Sequence, residues 1–281
     1  MKMNDNRLMF SVIRIFLFAS LFLCMTPAVG QILKQTPAYA SGEELRCNLY
    51  FNWRFIWVKV GNAKLTISDT IYNGQKAQCM KLLNSTNRKA DSFFFMRDTL
   101  MTIFTTDFKP LYYRKASREG QKYRINQVWY DYSSPSVVKV SQYYRRNNNN
   151  PTYKEEYVKG PIYDMMSLVA YARNIDFTSL PKNSRLTFPV ATGKVIESQH
   201  LVYRGKKRTK SDEGHEYDCF RVSLITEEDG EEKEIVNFHI TDDRNHLPIL
   251  LDLVLNFGSA KARLSGKKGV LYPLTSVIEH R

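Results

Sequence analysis

From Leu45 to Trp57 every odd position is apolar: Leu45, Cys47, Leu49, Phe51, Trp53, Phe55 and Trp57. Glu44, Arg46, Asn48, Asn52 and Arg54, at even positions, are polar. A period of two places the two sets on opposite faces of a β-strand. Leu49, Phe51, Trp53, Phe55 and Trp57, together with Met165, Leu168 and Val169 further along the chain, form a candidate hydrophobic ligand face. Five large side chains on one face need a partner surface, which is either a packed core or a ligand. The alternation breaks at Ile56-Trp57-Val58. Gly61-Asn62 then reads as a turn or bulge, and Ala63, Leu65 and Ile67 resume the pattern.

Further strands follow along the chain. Tyr72-Asn73-Gly74-Gln75 carries a type I′ turn signal before a strand at 76–86. A polar loop is expected at 87–91 and an aromatic, β-branched strand at 92–105. Two hairpins are expected next, turning at Glu119-Gly120 and in the run 147–150 of asparagines. Beyond Pro181 strands are expected at 185–191, 194–203, 217–226, 233–241, 249–257 and 260–264. One segment departs from the period of two. Residues 163–174 (YDMMSLVAYARN) carry Met165, Leu168, Val169 and Ala172 at helical spacing, with Asp164 as N-cap and Arg173 at the C-terminal end. The pattern therefore predicts a mainly β fold over 44–281. Its form is a single, strongly curved antiparallel sheet or unclosed β-barrel, with one helix packed on the concave face. Met165, Leu168, Val169 or Ala172 is expected to cover the surface containing Trp53.

The first 30 residues read as a signal peptide. Lys2, Arg7 and Arg14 precede an apolar run at 15–25, and Ala28-Val29-Gly30 offers small residues for cleavage. Residues 31–43 read as a loose lead-in. Cys24 raises lipidation, but Leu23 before it is not the small residue a lipobox needs. No second long apolar run follows, so no transmembrane segment is expected in the mature chain. The formal charge of +13 includes a net +2 from the signal segment, leaving the mature chain near +11. That balance suits an anionic component of the envelope rather than nucleic acid, which an exported chain rarely meets. Three cysteines remain, Cys47, Cys79 and Cys219, an odd number in mostly apolar surroundings that suits buried free thiols.

No G-x-S-x-G, G-x-G-x-x-G, P-loop or HExxH occurs, and no Cys/His spacing suits zinc. His200, His215, His239, His246 and His280 are scattered. These absences point away from an enzyme, a cofactor and a metal centre. Arg204, Lys206, Lys207, Arg208 and Lys210 form a candidate basic surface patch, read as a hairpin tip. Residues 227–232 form an acidic tip of the same kind. Aromatic residues make up 13% of the chain, which fills a β core or lines an apolar cavity equally well.

The segments WVKVGNA, ADSFFFMRDTL, QVWYDY, GPIYDMMSLVAYARN and LTFPVATGKVIESQHLVYRGKK resemble the exported bacterial family known as domain of unknown function 3108. The similarity runs from about Glu44 to about Phe257 and is most specific from Tyr163-Asp164 through Ser167 to Arg173. The resemblance implies a fold similar to the lipoprotein carriers LolA and LolB, an unclosed barrel with helix at its mouth. It also implies a periplasmic protein of Bacteroidetes type, non-enzymatic, binding a lipid or other hydrophobic ligand. Association with the outer membrane is left open. The alternative is a structural or scaffolding protein of the envelope, with a solid core, that binds an anionic glycan or a protein partner through the basic patch.

Overall fold

The computed structural model describes residues 32–34, 36–53, 56–228, 230–255 and 258–279. The expected signal peptide, Cys24 and Phe55 lie outside the described residues. Residues 34–281 form one compact unit.

Eight strands come first: β1 (Glu44–Trp53), β2 (Ile56–Tyr72), β3 (Gln75–Thr86), β4 (Met96–Phe104), β5 (Pro110–Glu119), β6 (Lys122–Asp131), β7 (Val137–Arg146) and β8 (Thr152–Lys159). A one-turn helix α1 (Arg88–Asp91) joins β3 to β4, and helix α2 (Met165–Ala172) follows β8. The chain continues through β9 (Arg185–Ala191), β10 (Ile196–Lys210), β11 (Glu216–Glu228), β12 (Glu231–Thr241), β13 (Pro248–Leu255), β14 (Gly258–Lys268) and the short β15 (Val277–Ile278). All strands belong to one antiparallel sheet. β1 to β8 meander outward in one direction. β14 returns beside β1 and β13 to β9 meander outward in the other, so β8 and β9 are the two edges. The sheet is therefore unclosed, as the hydrophobic pattern predicted.

The hairpins fall where turn chemistry allows, with one correction. β1 and β2 pair antiparallel as far as Trp53 opposite Ile56. Of the turn or bulge expected at Gly61-Asn62, the structure has the bulge: β2 runs on, Gly61 faces Leu49, Lys59 faces Tyr50, and Val60 is the extra residue between them. A Cβ at Gly61 would sit 2.1 Å from the Ser85 carbonyl oxygen, so glycine serves a close strand approach here. The correction concerns 87–95. Asn87 Oδ1 accepts the Ala90 amide (2.9 Å) and starts α1 where a loop was expected, and β4 begins only at Met96.

Helix α2 starts in a complete capping box. Asp164 Oδ1 accepts the Met166 and Ser167 amides at 2.9 Å each, and Ser167 Oγ accepts the Asp164 amide at 2.8 Å. The Arg173 amide closes the last turn on Val169 O (3.1 Å). The helix lies against β3, β4 and β9. Met166 and Ala170, four residues apart on one face, join a core with Met80, Phe104, Val128 and Val140. Of the residues expected to pack inward, Leu168 is buried and Val169 packs against that core, whereas Met165 is 40% exposed. Trp53 stands at the far, turn end of β1.

The described residues of the lead-in are not loose. Ala38 and Tyr39 are buried. The Lys34 amide donates to Asn174 O and the Ala38 amide to Asn174 Oδ1, both at 2.8 Å. Asn174 thus anchors this segment to the end of α2.

Two contacts roll the sheet toward closure. Tyr163, just before α2, bridges β9 through its own amide to Pro189 O (3.0 Å) and through Ala191 N–H to its carbonyl (2.8 Å). The β9–β10 turn reaches β6 and β7: Gly193 N–H donates to Gln142 Oε1 (2.9 Å), and Asn126 Nδ2 donates to Thr192 O (2.9 Å). At φ +85°, and with Asn126 Cβ only 2.7 Å from where a Cβ would stand, residue 193 must be glycine.

Candidate functional site

Residues directly opposite one another across antiparallel strands share a face. The register therefore sorts the face that α2 and the β9–β10 turn cover, here the inner face, into rows that cross the strands. The first row is Ile67, Met80, Thr102, Tyr113, Val128 and Gln142, all buried. It is solid core under the helix. The second row, one step toward the turn end, begins Leu45, Leu65, Leu82, Leu100 and continues Lys115, Asn126, Tyr144. The third begins Cys47, Ala63 and continues Asn84, Asp98, Ser117, Arg124. The inner face thus has an apolar wall on β1–β4 and a polar wall on β4–β7.

The polar wall holds unmet hydrogen-bonding capacity. Ser117 Oγ, Asp98 Oδ1 and Gln199 Oε1 are buried with no partner among the described residues. Such atoms are rare in folded proteins, because each forfeits its hydration. Burial, with Glu119 adding to it, pushes Asp98 up to about 6. A ≈ 130 Å³ cavity opens between Tyr113, Lys115, Asn126, Met165, Glu197 and Gln199. Gln199 Nε2 is committed to Glu197 Oε1 (2.9 Å), which leaves its free oxygen for the cavity. A wider cleft of ≈ 640 Å³ lies elsewhere, lined by Lys34, Tyr39, Asp69, Gln78, Phe108 and Asn174. Burial lowers the Lys34 ammonium there to about 8, and its Nζ is already bonded to the carbonyls of Asp243 (3.0 Å) and Arg244 (3.3 Å).

The candidate residues read from sequence do not form one surface. Leu49 and Phe51 are half-buried on β1. Trp57 lies across the hairpin on β2, 37% exposed, with Lys261 Nζ 4.1 Å from its ring centroid. Met165 lines the small cavity, and Leu168 and Val169 pack within the helix layer. The basic patch is not a hairpin tip either. Arg204 to Lys210 belong to β10, whose alternation divides them between faces. Three of the five meet carboxylates: Lys206 with Asp242 (2.5 Å), Arg208 with Asp218 (3.4 Å) and Arg204 with Glu234 (3.8 Å). The three cysteines are free, and burial pushes Cys47 and Cys219 up to about 12, which leaves them inert thiols.

Sequence reading missed Lys115, Asn126, Asp98, Ser117 and Gln199. A signal existed on β5, where one face changes from Leu111 and Tyr113 to Lys115, Ser117 and Glu119.

Residues 46–265 match the family described as "Protein of unknown function (DUF3108)". The chain belongs to this family. Its fold is similar to that of a solved β-barrel-like protein of another domain of unknown function, DUF1849, from Brucella abortus. The TM-score is 0.52 at 10% identity, covering 84% of this chain and 98% of that one. At that identity the likeness concerns the fold alone. A Bacteroides fragilis protein with a YmcC-like fold aligns over 84% of this chain and 99% of its own, at 9% identity and a TM-score of 0.29. No curated protein matches this DUF3108 chain.

Proposed function

We propose that this DUF3108 protein is an exported, non-enzymatic binding protein of the periplasm. In this reading it holds a lipid or another amphiphile in its half-barrel, below helix α2. The observation that carries the reading is the division of the second row, with Leu45, Leu65, Leu82 and Leu100 on one side and Lys115 and Asn126 on the other. Apolar chain suits the leucine wall. A polar or anionic head suits Lys115 and the unmet donors and acceptors beside it. Within the expected class of lipid or other hydrophobic ligand, this division favours an amphipathic one. Export rests on the signal-peptide pattern of the first 30 residues. The absence of catalytic motifs supports a binding role.

The test is native mass spectrometry and solvent extraction of protein purified from its own periplasm. An amphiphile that co-purifies with wild type, and falls in both Leu82→Asp and Lys115→Ala, supports the reading. Protein that carries nothing and takes up no fluorescent lysolipid overturns it.

A further inference from the structure

The turn end of the sheet carries a second feature that goes beyond ligand binding and stands whether or not the barrel is loaded. β2 pairs with β3 only from Gly61 onward, so residues 56–60 form the free edge of the β1–β2 ribbon, with β14 on the far side of β1 as far as Phe51. Ile56, Trp57, Val58 and Lys59 are all exposed in succession. A strand packed on one side alternates in exposure; this one does not, so both faces of the ribbon stand in solvent. Next to it, Asn87 ties α1 to the ribbon through its amide to Val60 O (2.8 Å) and its Nδ2 to Lys59 O (3.1 Å). The loop after α1 then presents Phe93, 87% exposed, and Phe94, 45% exposed. On the other flank, β14 brings the end of β13 alongside, with Val254 58% exposed. Six large apolar side chains are therefore exposed on neighbouring tips, whereas soluble surfaces usually scatter them singly.

The same tips are basic. Lys59, Arg88 and Lys89 are exposed and have no ion pair among the described residues. Arg118 joins them over the Phe95 ring (5.2 Å). The carboxylates nearby are engaged: Asp91 with Arg97 (2.6 Å), Glu119 with Arg124 (3.3 Å) and Asp252 with Lys261 (3.9 Å). Exposed Trp and Phe interleaved with Lys and Arg match a membrane interface, where rings enter the acyl boundary and ammonium and guanidinium groups meet anionic headgroups. We propose that this end of the sheet docks on an anionic bilayer surface. A second copy of the chain would bring like charges together at the same rim, so charge complementarity favours lipid. The acidic β11–β12 tip stands at the same end but beyond β14 and β13, which tilts the contact toward the β1–β5 side.

Flotation of the mature chain with vesicles tests this. Equimolar phosphatidylcholine and phosphatidylglycerol should retain the protein, and pure phosphatidylcholine should not. Arg88→Glu with Lys89→Glu should lower the partition coefficient by more than tenfold, since one basic residue at an anionic surface accounts for roughly fivefold. Raising salt should weaken binding of wild type in the same sense. Phe93→Ser with Ile56→Ser should also release it. These side chains are exposed, so circular dichroism and melting should be unchanged. No retention on anionic vesicles, or retention indifferent to both double variants, overturns the inference. So does sedimentation showing that these variants instead abolish self-association. Loss of vesicle binding with co-purified ligand intact separates this surface from the ligand site.

Discussion

Arg173 and Glu43 form a bidentate ion pair across 130 residues of sequence, with Nη1–Oε1 at 2.5 Å and Nη2–Oε2 at 3.0 Å. Both side chains are almost fully buried. The guanidinium also donates to Asn245 O (3.0 Å) and His246 O (3.2 Å) and lies 4.9 Å from the Tyr39 ring centroid. One charge thereby joins the end of α2, the lead-in and the β12–β13 loop.

Removing one partner of such a pair strands the other charge in the core. Arg173→Met and Glu43→Gln should each cost ~3–5 kcal/mol in urea unfolding. The double variant Glu43→Gln with Arg173→Met should cost less than the two added together, because no lone charge remains. Additive losses would mean that the pair does not couple the three segments.

Asp164 gives a pH dependence. Burial outweighs its hydrogen bonds and raises its carboxyl from 3.8 to about 6. Between those values the native state keeps a proton that the unfolded chain has lost. Stability from this group is therefore present at low pH and lost as pH rises toward 6, on the order of 3 kcal/mol. Asn is an equally good N-cap and can still meet Thr102 Oγ, which donates to Asp164 Oδ2 at 2.8 Å. Asp164→Asn should thus match or exceed wild-type stability at neutral pH and flatten this part of the profile. Unfolding midpoints measured from pH 4 to pH 7, a window set by these two values, would show it. A parallel offset between the two proteins would refute the assignment.

His246 acts in the opposite direction. Burial lowers it to about 3 from 6.5, with Lys34 and Arg173 adding to that, and its Nδ1–H donates to Arg173 O (2.8 Å). The unfolded chain binds more protons below 6.5, so this stability is lost as pH falls. Asn tolerates the φ of +45° and supplies an N–H of its own. His246→Asn should lessen the loss of stability on acidification, read as a shallower fall in melting temperature below pH 6.5.

Much of the fold was legible because it is written locally. The alternation of Leu45 through Phe51 and the Asp164-x-x-Ser167 box each need only neighbours in sequence to be read. The β1–β2 reversal was not read because Arg54-Phe55 carries no turn residue, while Gly61-Asn62 carried the signal for either a turn or a bulge. Gly61 is required by the Ser85 carbonyl of another strand, and that contact has no sequence signature. The candidate site was less legible. Its rows combine one residue from each of six or seven strands, so Lys115 and Asn126 become a polar wall only once the register is known. Arg173 and Glu43 lie too far apart in sequence for any spacing argument.

The last prediction separates solid core from binding wall on the same inner face. Phe104 is wholly buried in the core beneath α2, together with Met80 and Val128. Phe104→Ala should cost ~3–5 kcal/mol, the range for a large buried aromatic whose cavity cannot collapse. Leu82 lies one row nearer the open turn end and is only half-buried, packed against the margin of that core. Leu82→Ala forfeits less contact in the empty protein, so its cost should fall below the ~2–5 kcal/mol of a buried leucine. In protein loaded with amphiphile the same substitution removes part of the leucine wall and should shorten ligand retention. Chemical unfolding of delipidated and loaded protein distinguishes the two sites. For Phe104→Ala the loss should be the same in both forms, because the helix seals that position from any ligand. For Leu82→Ala it should grow on loading, because a ligand stabilises the native state by RT ln(1 + [L]/Kd) and the variant weakens Kd. Equal losses for Leu82→Ala in both forms would place that residue in the sealed core and remove the apolar half of the proposed site.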